Sequence, residues 1–293
     1  MTRTIRFGFT PDPDDAFAYY ALVRGKVGLP GIRATFTAQP IDRLNRLALE
    51  GQLDVAAVSS AYFPFLAPEY DILQSGASVG RGYGPLLAAT GPLSLEELSR
   101  LEVAVAGSTT TGAALLRLLF PQAVPVEVPF EELRASVEHG RFRAGVMVHE
   151  ELLLEPAGRL RRVACLGALW TKATGLPLPV GLNVVRRSLG EALAARICRA
   201  VRDSVLYALD HPQEAGEYAL GFGVRRDPGA AWKFIRLFTN EDTIALAEDV
   251  QAGLRELLSR LSAAGLAPPV ATLSVVEPDQ VPARSVPLLG ARA

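Results

Sequence analysis

The sequence predicts an α/β protein made of two similar lobes that face each other across a ligand crevice. Three observations carry this prediction. Short apolar runs alternate with helical patterns through the first half of the chain, the signature of a mainly parallel sheet covered on both faces. The alternation breaks at Gly84-Pro85 and then restarts. Finally, Glu50-Gly51-Gln52-Leu53-Asp54, VAAV and Ser59-Ser60 are echoed by His139-Gly140-Arg141-Phe142-Arg143, AGVMV and His149. Each segment is a helix stop, a short turn, an apolar strand and a polar residue at the strand end. Ligands of open α/β sheets bind outside such ends.

Ile5–Phe9 alternates as a strand and leads through Pro11-Asp12-Pro13-Asp14-Asp15 into a helix over Ala16–Arg24, with Asp14 or Asp15 as N-cap. Ile32–Ala38 is the next strand, and the helix Ile41–Leu49 stops at Gly51, a residue suited to the left-handed position after a helix. Leu53–Val58 reads as a buried strand. In the second half Leu86–Ala89 is apolar, Ser94 caps a short helix, and Leu101–Ala106 is a strand. The turn Gly107–Gly112 (GSTTTG) opens a helix over Ala113–Phe120. Strand Val124–Val128, helix Phe130–His139 and strand Ala144–Val148 follow, the last ending at His149. From Leu189 the chain is helical, over Leu189–Leu209, around Ala230–Phe238, and over Thr243–Ala264. Leu266–Ala293, rich in proline, reads as an irregular tail. The lobes are expected at residues 1–88 with 186–293, and at 89–185.

A chain of 293 residues buries enough surface to need neither disulfides nor structural metal. Its 30 Lys and Arg balance 31 Asp and Glu, a net charge of −1, which argues against nucleic acid as the main partner. No run of 18 apolar residues is present, so the apolar content reads as core and no membrane span is expected. The two cysteines, Cys165 and Cys198, form no C-x-x-C and suit a reducing compartment. The alternating strand begins within the first few residues, without a signal-peptide pattern, so a cytoplasmic location is expected.

Three histidines are the candidates for a base near neutral pH. His139 lies in a last helical turn, where a cation meets the helix dipole favourably, and His211 precedes Pro212 in a turn. His149 ends an apolar strand and is the catalytic candidate. The GSTTTG turn, with Gly107, Thr110 and Thr111, can present N–H groups and hydroxyls to a carboxylate, or simply cap its helix. It lacks the lysine of a P-loop. Arg81, in the glycine-rich Gly76–Gly84 stretch, is a candidate carboxylate partner. Ser59 and Ser60 lack the nucleophile-elbow glycines but are placed to hydrogen-bond a substrate. Asp12, Asp14 and Asp15 read either as turn and capping chemistry or as ligands for a divalent cation.

Seven segments, in order along residues 4–265, resemble one family: GFTPDPDDAFAYYAL (8–22), LNRLALEGQLDVAAVS (44–59), the Gly76–Pro85 loop, GSTTTG, AGVMVHE (144–150), LGALWTKATGLPLPVG (166–181) and VRDSVLYALDHPQEA (201–215). The family is 1,4-dihydroxy-6-naphthoate synthase of the futalosine route to menaquinone. The resemblance implies a type II-like periplasmic binding protein fold, with mixed sheets, helices on both faces and a crevice between lobes. It implies cleavage of cyclic dehypoxanthinylfutalosine, a small carboxylate, without metal or organic cofactor. The family's base falls on His149, its hydroxyl contacts on Thr110 and Thr111, its first-lobe serine on Ser59, and an asparagine of open role on Asn240. The family's usual S-P-C-P-N-D turn is T-P-D-P-D-D here, with Asp12 for cysteine and Asp14 for asparagine. Leu169-Trp170 and Thr171 also depart from it. Negative charge added at the crevice would repel an anionic substrate unless paired. Two other readings fit the architecture: a solute-binding protein without catalysis, and chorismate dehydratase of the same pathway.

Overall fold

Strand β1 (Arg3–Phe9) directs Ile5, Phe7 and Phe9 into one apolar layer and Gly8 toward the other. The computed structural model to which it belongs describes residues 3–153, 158–222 and 227–279. Pro11 and Pro13 turn the chain into α1 (Pro13–Val23), which starts earlier than expected because proline suits the first helical turn. Strand β2 (Ile32–Ala38), helix α2 (Ile41–Leu49) and strand β3 (Val55–Ser59) follow. β1 pairs in parallel with both β2 and β3. A Cβ on Gly8 would come within 2.6 Å of Leu53 and 2.8 Å of Leu44, so the missing side chain lets α2 close on the sheet.

A 3-10 turn and the short α3 (Phe63–Leu66) lead to β4 (Tyr70–Leu73) and β5 (Ser78–Gly80). The second sheet then begins with β6 (Leu86–Ala89), followed by α4 (Leu95–Leu98) in a Ser94/Glu97 capping box and by β7 (Glu102–Val105). Next come α5 (Thr111–Leu119), β8 (Val124–Glu127), α6 (Phe130–Glu138) and β9 (Ala144–Met147). β10 (Arg161–Cys165) and α7 (Leu166–Thr174) complete that half. The chain returns through β11 (Leu178–Arg186) to α8 (Glu191–Asp210), α9 (Pro212–Ala219) and α10 (Pro228–Phe238). The last elements are α11 (Glu241–Ile244), α12 (Glu248–Ala263) and β12 (Val275–Val276).

The larger sheet has the order β12-β4-β11-β3-β1-β2, with β5 also on β11; the smaller has β10-β6-β9-β7-β8. Pairing places the crossings between β5 and β6 and between α7 and β11. Residues 88 and 185, where the boundaries are expected, lie within β6 and near the end of β11, which is antiparallel to β3, β4 and β5. One apolar cluster spans both sheets. In each, a first strand (β1 or β7) lies between a second (β2 or β8) and a third (β3 or β9), all parallel. The segments that echo in sequence are the two third strands.

The apolar layers follow from this topology. α1, α8 and α9 pack with Ile5, Phe7 and Phe9 on one face of the larger sheet. The other face, carrying Leu44, Val58 and Leu182, packs continuously with α12 and with Val103, Leu115 and Trp170 of the smaller-sheet half. Two expectations for the C-terminal region change. The helix expected over Thr243–Ala264 is divided, because Ala245 and Ala247 are extended and the buried Leu246 between them donates its N–H to the Gln74 carbonyl. Part of the expected irregular tail is β12, which adds parallel to β4; residues 280–293 lie outside the described residues.

Candidate active site

In an open sheet, the crevice forms where successive connections leave a strand toward opposite sides. Here that happens twice, after β1 and after β7, and the two ends meet around a cavity. Thr10, Asp12, Asp14, Asp15 and Ser59 line it from the larger sheet; Thr110, Thr111 and His149 line it from the smaller. Phe234 and Phe238 of α10 form part of its apolar wall.

His149 begins a 3-10 turn after β9 with φ of 56°, the one positive φ at a non-glycine position among the described residues. Such backbone is sparsely populated and recurs at functional sites. Its Nδ1 lies 2.7 Å from Asp12 Oδ2, with the side chains 17% and 7% exposed. The ring stands edge-on to Phe130 at 4.6 Å. His139 and His211 lie at helix ends, as expected; His211 stacks on Tyr207 at 4.0 Å.

The three aspartates have separate roles. Asp12, not Asp14 or Asp15, occupies the N-cap position of α1, yet its carboxylate makes no capping bond. Asp15 Oδ2 accepts from Thr10 N–H at 2.9 Å and from its hydroxyl at 2.8 Å, closing the turn. Asp14 Oδ2 accepts from the Ser78 hydroxyl at 3.2 Å. Burial, reinforced by the charges of Asp15 and Asp12, pushes the Asp14 carboxyl well above the usual range. Burial also pushes Asp15 up to about 6, against the Thr10 hydrogen bonds. Among the described residues no three His, Cys, Asp or Glu side chains gather as metal ligands do.

Thr110 is the N-cap of α5: its Oγ1 accepts from Ala113 N–H and donates to the Gly107 carbonyl. Thr111 Oγ1 donates to the Val180 carbonyl and accepts from Ala61 N–H, tying α5 to the larger sheet. Both hydroxyl protons are thus engaged within the protein. What the start of α5 offers an anion is the N–H groups of Thr111 and Gly112, which bond no other described residue. Gly107, at φ of 116°, shapes this turn but lies outside the cavity lining.

Ser59 lines the cavity, with its N–H donating to Asn45 Oδ1 and its Oγ accepting from Asn45 Nδ2. Asn45 also reaches Thr109 across the crevice. Sequence reading missed Asn45; the available signal was an amide on the apolar stripe of α2 between Leu44 and Ala48. Three candidates besides Gly107 do not reach the cavity lining. Ser60 is fully buried beyond the end of β3. Arg81 points away, its guanidinium held by Asp242 at 2.8 Å and Asp249 at 2.6 Å. Asn240 caps α11, its Oδ1 accepting from Asp242 N–H and its Nδ2 donating to the Leu237 carbonyl. Ser78, Phe130 and the α10 phenylalanines had no local sequence signature, since their proximity is tertiary.

A family described as menaquinone biosynthesis matches residues 5–263. A Thermus thermophilus protein named 1,4-dihydroxy-6-naphthoate synthase is 38% identical over 267 residues, covering 91% of this chain and 97% of the relative. A crystal structure of an Archaeoglobus fulgidus protein has a TM-score of 0.86 at 36% identity, covering 90% of this chain and 98% of that one. The alkanesulfonate-binding protein SsuA of Xanthomonas axonopodis pv. citri, bound to MOPS, has a TM-score of 0.69 at 13% identity, covering 93% and 97%. The last likeness shows the fold alone, that of periplasmic binding proteins. Among the described residues no helix is long and apolar enough to cross a membrane. The chain belongs to the menaquinone biosynthesis family, and its role is in that pathway.

Proposed function

We propose that the protein is a carbon–carbon lyase that converts cyclic dehypoxanthinylfutalosine to 1,4-dihydroxy-6-naphthoate, with His149 as general base. The observation that carries this reading is the histidine itself, lining the cavity where both sheets end with Nδ1 on a carboxylate. A carboxylate only accepts hydrogen bonds, so Nδ1 carries the hydrogen and the Nε2 lone pair is the basic one. Proton removal from the bound substrate by Nε2 starts the elimination and retro-aldol-like cleavage, and aromatisation of the product drives it forward.

The rest of the lining gives each part of the substrate a place. The carboxylate meets Thr111 N–H and Gly112 N–H at the positive end of α5. The sugar-derived part meets the Ser59 hydroxyl, whose oxygen Asn45 fixes. Phe234 and Phe238 offer the aromatic part an apolar surface. Burial pushes the Asp14 carboxyl up, which weakens its repulsion of an anionic substrate. The cytoplasm is the compartment this activity requires.

The test is purified protein with cyclic dehypoxanthinylfutalosine, following the naphthoate product by chromatography, and chorismate in parallel. Product should form from the first substrate only. His149→Ala should lower kcat by about 10²-fold or more, the usual weight of a positioned base. Absence of product, turnover of chorismate instead, or an undiminished rate in His149→Ala would each remove the proposal.

A further inference from the structure

We propose that Asp12 is the positioning residue for the base: reaching from one lobe, it holds His149 of the other in the tautomer and orientation that present Nε2 to the cavity. The inference deepens the lyase reading and rests on it for the task of His149.

The geometry supports this at three points. First, Asp12 stands where a carboxylate ordinarily caps its own helix, yet it makes no such bond and lies 2.7 Å from His149 Nδ1. Second, the turn carrying Asp12 is fixed from within, because both Thr10 donors close on Asp15. Third, His149 sits on a strained left-handed backbone, with Phe130 edge-on to one side. A ring held in that way needs a partner at Nδ1 to choose between its two nitrogens as the basic site.

The pair joins the turn after β1 to the strand end after β9, elements of different sheets. The complete base therefore exists only when the two lobes are closed on each other, which places its assembly at the moment water is excluded. Among the described residues, charged groups approach His149 from two elements. Asp12, Asp14 and Asp15 face it from the start of α1. Glu151, on its own turn, is paired with Arg134 of α6 at 2.7 Å. From α10, Phe234 and Phe238 line the same cavity and carry no charge.

The experiment compares wild type with Asp12→Asn and Asp12→Ala, verifying the fold of each by urea denaturation. Steady-state kinetics should show kcat about 10²-fold lower in both variants, with KM within about threefold, since the defect lies in the base and not in binding. The acid limb of the kcat/KM profile should move to lower pH by about one unit in Asp12→Asn, because the nearby anion no longer favours the imidazolium. Formate should restore part of the activity of Asp12→Ala, a rescue that a purely structural role does not produce. Rates within threefold of wild type, or an unmoved acid limb, overturn the proposal.

If wild type proves inactive on the expected substrate, the lyase reading fails and positioning is decided without turnover. In ¹⁵N-histidine spectra, with His149 assigned by comparison with His149→Ala, wild type should show the Nδ1–H form and Asp12→Ala a mixture of tautomers. The same tautomer in both overturns the proposal.

Discussion

Replacing Asp15 by asparagine should stabilise the protein at neutral pH, and the gain should vanish in acid. Asp15 is buried beneath the start of α1, with both Thr10 donors on one of its oxygens. Burial raises its carboxyl from 3.8 to about 6. Between those values the folded protein keeps a proton that the unfolded chain has released. Stability contributed by the protonated form is therefore complete below about pH 4, falls as pH rises toward 6 and is lost above it. Roughly two pH units at about 1.4 kcal/mol each give a loss of about 3 kcal/mol. Asparagine retains an oxygen for both Thr10 bonds and has no proton to lose. The unfolding free energy of Asp15→Asn, relative to wild type, should thus grow by about 3 kcal/mol between pH 4 and pH 7.5. Urea denaturation at a series of pH values, followed by fluorescence of Trp170 and Trp232, measures it directly. A difference that stays constant across that range, or grows toward acid, refutes the reasoning.

Three further substitutions probe packing and charge pairing. A side chain on Gly167, at the start of α7, would collide with the Tyr83 carbonyl, against which Gly80 packs from the other side; Gly167→Ala should cost about 1–3 kcal/mol in urea denaturation. Gly91→Ala, with no neighbour in reach, should change stability by less than about 0.5 kcal/mol. Arg46 of α2 pairs with Glu127 of β8 at 2.8 Å across the crevice mouth, both about 40% exposed. Arg46→Ala should move stability by no more than about 1 kcal/mol but raise KM about threefold at low salt. The KM effect should fade at high ionic strength if screening of this pair is its cause.

What the sequence by itself determined is local: apolar runs long enough for strands, glycines after helices, and polar residues at strand ends. These located His149, Ser59 and the GSTTTG turn, because strand termini and helix starts are positions that composition and periodicity mark. They also placed His139 and His211 at helix ends, where the structure has them. Asp12 and Asp14 stood out for their charge, but their environment depends on a partner 137 residues away in one case and on burial in the other.

Only the tertiary structure decided the rest. Arg81 and Asn240 looked available for a ligand until Asp242 was seen to engage both, an arrangement that requires the β5 loop to meet α11. The hydroxyls of Thr110 and Thr111 proved committed to backbone carbonyls, leaving the N–H groups at the start of α5 as its donors. The break at Leu246 arises from a hydrogen bond to Gln74, which no helical periodicity can anticipate. Above all, a carboxylate after the first strand reads in sequence as unwelcome charge near an anionic substrate. Folding brings it 2.7 Å from an imidazole on the opposite sheet, and Coulomb interaction depends on that separation in space, not on separation along the chain.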